Sequence, residues 1–147
     1  MHPMFDRLVA LLDARSASYR VLMHDAEGQS ARVAEIRGTE PGQGAKAMLC
    51  SLKGQAGPYA LVILPGDQKL DMKKVGAALG GKKAELVKAE TAMELTGCRI
   101  GAIPPFVFDE RIQLIVDPAL TTSYAEIAFN AGRLDASMVL DTQDYLA

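Results

Sequence analysis

Residues 45–66 read AKAMLCSLKGQAGPYALVILPG. Two apolar runs, AKAMLCSLKG and YALVILPG, are joined by GQAGP, a segment of turn-forming residues. Short apolar runs bounded by glycine and proline read as strands, here a hairpin or two adjacent strands. Outward from this pair, helical and extended patterns are mixed rather than strictly alternating. On the N-terminal side, Phe5, Leu8, Val9, Leu11 and Leu12 recur at helical spacing and predict a helix over 3–15, with Pro3 suited to its first turn. SYRVLMH predicts a strand with Tyr19, Val21 and Met23 on one face and Leu22 on the other. SARVAEIRG predicts a helix with Ser30 as N-cap and Gly38 just past its end. TEPGQG is a turn-rich loop.

On the C-terminal side, LDMKKVGAALGG predicts a helix capped by Asp71 and stopped by Gly80. TAMELTG predicts another, with Thr91 and Glu94 at capping-box spacing and Gly97 as its end. RIQLIVD, AEIAFNAG and LDASMVL predict three strands, with NAG as the turn between the last two. DTQDYLA is a short helix started by Asp141. The expected fold is therefore α+β, with a mixed, largely antiparallel sheet flanked by helices. No linker divides the chain, so residues 1–147 are expected to form one domain, long enough to bury a core without staples.

Bulk charge narrows the function. The formal net charge is −2, which argues against a general nucleic-acid-coating protein but leaves room for local contact with an RNA end. Two cysteines, Cys50 and Cys98, make neither a disulfide framework nor a metal quartet, and a reduced, cytoplasmic setting is expected. The N-terminus lacks a signal-peptide pattern. No apolar run approaches the roughly 20 residues of a membrane span. No metal or other cofactor is expected.

Three features carry candidate chemistry. Lys46 sits in an apolar strand after PGQGA. It either faces solvent or points a cation at an anionic or developing-oxyanion group. CRIGAIPPF, residues 98–106, contains no acid, base or hydroxyl nucleophile. Gly101 is free to adopt unusual angles, and Pro104 and Pro105 stiffen the backbone after it. This loop is either a tight structural turn or a frame presenting backbone N–H groups. Donors would come from Gly101, Ala102 or Ile103, because Pro104 and Pro105 have none. His24 is a possible general base, but no serine or cysteine stands in a nucleophile-like context beside it. Lys73, Lys74, Lys82, Lys83 and Lys88 form a basic run, either a solvated face or a contact for a phosphate backbone.

Taken in order, PGQGAKAML, LPGDQKLDMKKVGAALGGKKAEL, LTGCRIGAIPPF and NAGRLDASMVLDTQDYL resemble the YbaK/prolyl-tRNA-synthetase-associated domain, as a free-standing member. The resemblance runs from about residue 17 to the end. It implies a trans-editing deacylase that hydrolyses the ester joining a wrong amino acid to the 3′ end of a tRNA. The partners implied are that 3′ end and a tRNA synthetase, with no role for DNA or membrane.

The family lysine falls on Lys46 and the Gly-x-x-x-Pro motif on Gly101–Pro105. Many members read Gly-Gly-x-Ser-Pro there, so Ala102 and Pro104 depart from the pattern, as does Ala47 where threonine or asparagine is common. The resemblance implies that Lys46, with N–H groups of Gly101 and Ala102, handles the ester. Met48, Ile103, Pro105 and Phe106, with His24, Ser30 and Arg37, are candidate substrate contacts. ARVAEIRG…GQGAKAM looks most like the subgroup associated with Ser- and Thr-tRNA; Ala- or Cys-tRNA(Pro) are the other substrates weighed. Two rival readings are a non-catalytic tRNA- or synthetase-binding module and a small-molecule hydrolase on the same scaffold.

Overall fold

In the structure, a computed structural model describing residues 3–27, 29–55 and 57–146, Ala45–Leu52 and Tyr59–Pro65 do form an antiparallel pair. Ala45 stands opposite Pro65 and Ser51 opposite Tyr59. In chain order the elements are α1 (Pro3–Ala14), β1 (Tyr19–Met23), α2 (Ser30–Arg37), a 3₁₀ turn (Pro41–Gln43), β2 (Ala45–Leu52), β3 (Tyr59–Pro65) and α3 (Met72–Ala78). After these come β4 (Ala84–Leu86), α4 (Ala89–Thr96), β5 (Ile112–Val116), α5 (Pro118–Ser123), β6 (Glu126–Arg133), β7 (Ala136–Asp141) and α6 (Thr142–Leu146).

The strands make two sheets, one ordered β1-β7-β6 and one β4-β2-β3-β5. Every pairing is antiparallel except β3 with β5. This is the α+β arrangement expected, with the strands divided between two sheets. A parallel bridge between Gly44 and Ala128 brings the start of β2 against β6 and joins the sheets at one point.

Alternation along β2 and β3 explains their continuous apolar character. Leu49, Leu61 and Ile63 face a main core shared with Leu8, Leu12, Phe129, Met138 and Leu120. Cys50, Leu52, Ala60 and Val62 face the other way, onto Val75 and Leu79 of the α3 segment. A sheet covered on both faces has no polar side to alternate with. The α3 helix is held at its start by Asp71, whose side chain accepts from the N–H groups of Lys73 and Lys74, each at 3.1 Å. Among the described residues no helix is long and apolar enough to cross a membrane.

Several local expectations are corrected. NAG is not the β6–β7 turn: β6 continues to Arg133, with an irregularity between Asn130 and Arg133. Gly132 has φ +81°, so the glycine serves a bulge while the reversal falls at Leu134–Asp135. The N-cap of α2 is Gln29, not Ser30, and the Ser30 side chain lies outside the described residues. The α4 helix begins at Ala89, with Lys88 as its N-cap, which places Thr91 inside the first turn. Strand β4 and helix α5 were not anticipated; α5 is capped by Asp117, which accepts from Ala119 N–H at 2.9 Å.

Candidate active site

The Gly44–Ala128 bridge sets the start of β2 beside β6, the end of α2 and the 98–106 loop. Between them lies a pocket of about 140 Å³ lined by Val33, Arg37, Gly44–Met48, Ile100, Gly101, Ile103 and Ala128–Asn130. Of the expected residues, Arg37, Lys46, Met48, Gly101 and Ile103 meet here.

Lys46 lies on the same face of β2 as Met48 and Cys50, the face that α3 covers further along. Its Nζ donates to the carbonyl of Gln68, 2.6 Å away in the turn before α3. Partial burial lowers its pKa, and the nearby Asp67 carboxylate opposes that shift. The result is a tethered, half-buried cation at the rim.

The loop is pinned plane by plane. Gly101 has φ +92°, a left-handed conformation that favours glycine. Its carbonyl accepts from Asn130 Nδ2 at 2.8 Å. The N–H of the same peptide plane, that of Ala102, donates to the Arg99 carbonyl at 2.9 Å. The next plane is fixed by Gly132 N–H, which donates to the Ala102 carbonyl at 2.9 Å. Ala102 is buried and its N–H already has an acceptor. Among the described residues the N–H groups of Gly101 and Ile103 find none. Behind the pocket, Pro104 and Pro105 are fully buried, and the Pro105 carbonyl accepts from Tyr145 Oη at 2.8 Å. Phe106 packs edge-on against Phe129 and Tyr145. Pro105 and Phe106 thus clamp the loop and do not line the pocket.

Beneath the loop is a polar network that the sequence did not suggest. Arg37 Nε donates to Ser137 Oγ at 2.7 Å, and its Nη2 to Asn130 Oδ1 at 3.1 Å. Asn130 also donates to the Glu27 carbonyl at 3.0 Å. Burial pushes the Arg37 pKa down to about 10, and no acid is paired with it among the described residues. His24 reaches the network from outside, with Nε2 2.7 Å from Ser137 Oγ and Nδ1 2.7 Å from the Asp25 carbonyl. Both ring nitrogens are engaged and the ring does not line the pocket, so His24 is placed to brace Ser137. Asn130 and Ser137 could have been noticed as polar residues set among apolar and small neighbours within AEIAFNAG and LDASMVL.

Among the described residues the pocket is lined by two cations, one amide and apolar groups, with no serine, cysteine, histidine or carboxylate side chain on its wall. It can hold a carbonyl or phosphate oxygen and orient a reacting group, and among the described residues it leaves the nucleophile to water or the ligand. Both cysteines are buried. Burial pushes the Cys50 thiol up to about 11 and raises that of Cys98, leaving little reactive thiolate at neutral pH. Both thiols are therefore expected to resist a thiol-reactive dye in the native protein and to react promptly in denaturant. Fast labelling of the native chain would contradict that enclosure.

Fold and pocket together define the class: the chain belongs to the aminoacyl-tRNA editing domain family, whose model matches residues 24–147. It is similar to the multifunctional Ser/Thr-tRNA deacylase ProXp-y of Escherichia coli (strain K12). The two are 48% identical over 141 residues, 95% of this chain and 84% of that protein. A 60-residue stretch is 35% identical to part of the proline–tRNA ligase of Brachyspira hyodysenteriae, covering 41% of this chain and 10% of the ligase. The same fold occurs in a crystal structure described as a candidate trans-editing enzyme for prolyl-tRNA synthetase. There the TM-score is 0.81 at 24% identity, over 99% of this chain and 91% of the other.

Proposed function

We propose that this chain is a free-standing aminoacyl-tRNA deacylase that removes serine or threonine from mischarged tRNA, with residues 1–147 acting as one editing domain. The observation that carries the reading is the pairing of Lys46 with a loop whose peptide planes are locked, in a pocket with no protein nucleophile among its described residues. An aminoacyl ester is already activated, so a held carbonyl and a positioned water suffice. The N–H groups of Gly101 and Ile103 receive the carbonyl oxygen as it gains negative charge, and Lys46 holds the ribose or terminal phosphate, or offsets that charge. Gly101 and Ile103 replace Ala102 in the donor role because the Ala102 N–H is committed to Arg99.

Water adds to the carbonyl carbon and gives up its proton to the neighbouring ribose hydroxyl system. The ester C–O bond then breaks and the ribose oxygen leaves protonated. Locking the donors before reaction is what makes them effective, because no reorganisation is needed as charge develops. Serine and threonine are favoured because Arg37, which has more N–H donors than the two it commits to Ser137 and Asn130, stands on the wall of a small pocket, which suits a hydroxyl side chain. Sites built to bond a hydroxyl discriminate against analogues lacking it more strongly than apolar pockets measure a methylene. The similarity to the ligase stretch supports a tRNA synthetase as partner in the cytoplasm, where mischarged tRNA is released.

The test is deacylation of tRNAs charged with serine, threonine, alanine and cysteine. Turnover of the seryl and threonyl forms well above the alanyl form is expected. Binding of all four without release of amino acid would instead favour a non-catalytic module, for which the methyl of Ala47 on the pocket wall is the motivating feature.

A further inference from the structure

The charge of this chain is unevenly distributed. Residues 53–88 hold seven lysines against three acids, Asp67, Asp71 and Glu85, while the rest of the chain holds nine lysines and arginines against fifteen acids. All seven lysines are exposed. Two of the acids have fixed partners: Asp71 caps α3 and Glu85 Oε1 accepts from Gly54 N–H at 2.9 Å. Asp67 faces Lys46. Among the described residues no lysine forms an ion pair; the salt bridges there are made by arginines elsewhere in the chain.

Six of these lysines, all but Lys88, follow one another away from the pocket. Lys46 touches the carbonyl of Gln68, Lys69 is next in the chain, and Lys73 and Lys74 stand in the first turn of α3. The far end of α3 lies against the next pair: a Cβ on Gly76 would sit 2.6 Å from the Lys83 backbone. Lys53 N–H then donates to the Lys83 carbonyl at 3.0 Å. The row tracks β2 from Lys46 to its end at Leu52, a strand length of about 20 Å at 3.3 Å per residue. That length matches roughly six phosphates along one strand of a duplex.

We propose that the lysine face along α3 seats the phosphate backbone of the tRNA acceptor duplex, with the unpaired 3′ end passing Lys46 into the pocket. This rests on the deacylase reading, since an RNA whose end lies in the pocket continues across whichever face adjoins it. Lysines are flexible point charges, suited to fixing a backbone without reading its bases.

The experiment compares wild type with Lys73→Gln/Lys74→Gln/Lys82→Gln/Lys83→Gln. Binding of uncharged, dye-labelled tRNA is measured across a salt series, alongside hydrolysis of Ser-tRNA and of a seryl-CCA trinucleotide. The variant is expected to bind tRNA at least about tenfold more weakly, with a slope of log affinity against log salt shallower by roughly 3, since each phosphate contact contributes about 0.9. Its kcat/KM on Ser-tRNA falls, while the trinucleotide is cleaved at the wild-type rate. An Arg20→Gln/Arg111→Gln control, altering exposed cations elsewhere, leaves the slope unchanged. Wild-type affinity and slope in the lysine variant, or an equal loss in the arginine control, would overturn the proposal. Failure of the wild type to cleave either ester would overturn the deacylase reading instead, and the binding series would still decide the surface.

Discussion

Lys46→Ala is expected to lower deacylation of seryl-tRNA by about a hundredfold or more, the loss associated with removing one preorganised group at a developing oxyanion. Stability should fall by no more than about 1 kcal/mol, the net worth of one hydrogen bond, because the half-buried ammonium makes a single such bond, to the Gln68 carbonyl at the rim. Separating kcat from KM tells which role the ammonium plays. A fall confined to kcat places it at the reacting carbonyl; a rise confined to KM places it on the ribose or phosphate of the bound end. Lys46→Arg is a demanding companion, since a planar fork cannot reproduce a point charge held on one carbonyl. A rate for Lys46→Ala within threefold of wild type would remove Lys46 from the mechanism.

Asn130→Leu is expected to destabilise the fold by about 3 kcal/mol, from buried groups left without partners. The amide accepts from Arg37 and Ser137 and donates to the carbonyls of Glu27 and Gly101. Leucine matches its bulk and satisfies none of them. The urea midpoint should fall without a change in slope. Activity should fall beyond what the unfolded fraction explains, because the Gly101–Ala102 plane loses its clamp. Asn130→Asp separates the two effects. It keeps an acceptor for Arg37 but sets an oxygen against the Gly101 carbonyl, so activity should drop at a smaller loss of stability. If Asn130→Asp retains full activity, the clamp does not position the donors.

Much of the architecture was legible in the order of residues because its signals are local. Apolar runs bounded by glycine and proline gave β2 and β3, and helical spacing gave α1. A carboxylate beside backbone N–H groups marked the start of α3. The misread elements were decided by distant partners. NAG carries turn chemistry, yet β7 pairs with β6 through Asn130 and past it to Arg133, so the positive-φ glycine became a bulge. Strand β4 is three residues long and exists because β2 has an edge for it to join.

At the site, Lys46 and Gly101 were visible as a lone cation in an apolar run and a glycine before a rigid loop. Ala102 as donor was not an error of residue type: only the turn back to Arg99 shows that its N–H is taken. Asn130, Ser137 and Arg37 lie on three separate elements, and their hydrogen bonds span between 7 and 100 residues of sequence. The sequence alone therefore determined most of the elements, the lysine and the loop's stiffness, because propensity, capping and turn chemistry act over a few residues. The tertiary structure alone decided which backbone donors remain open and which buried amide holds them, because those depend on groups that only folding brings within hydrogen-bond reach.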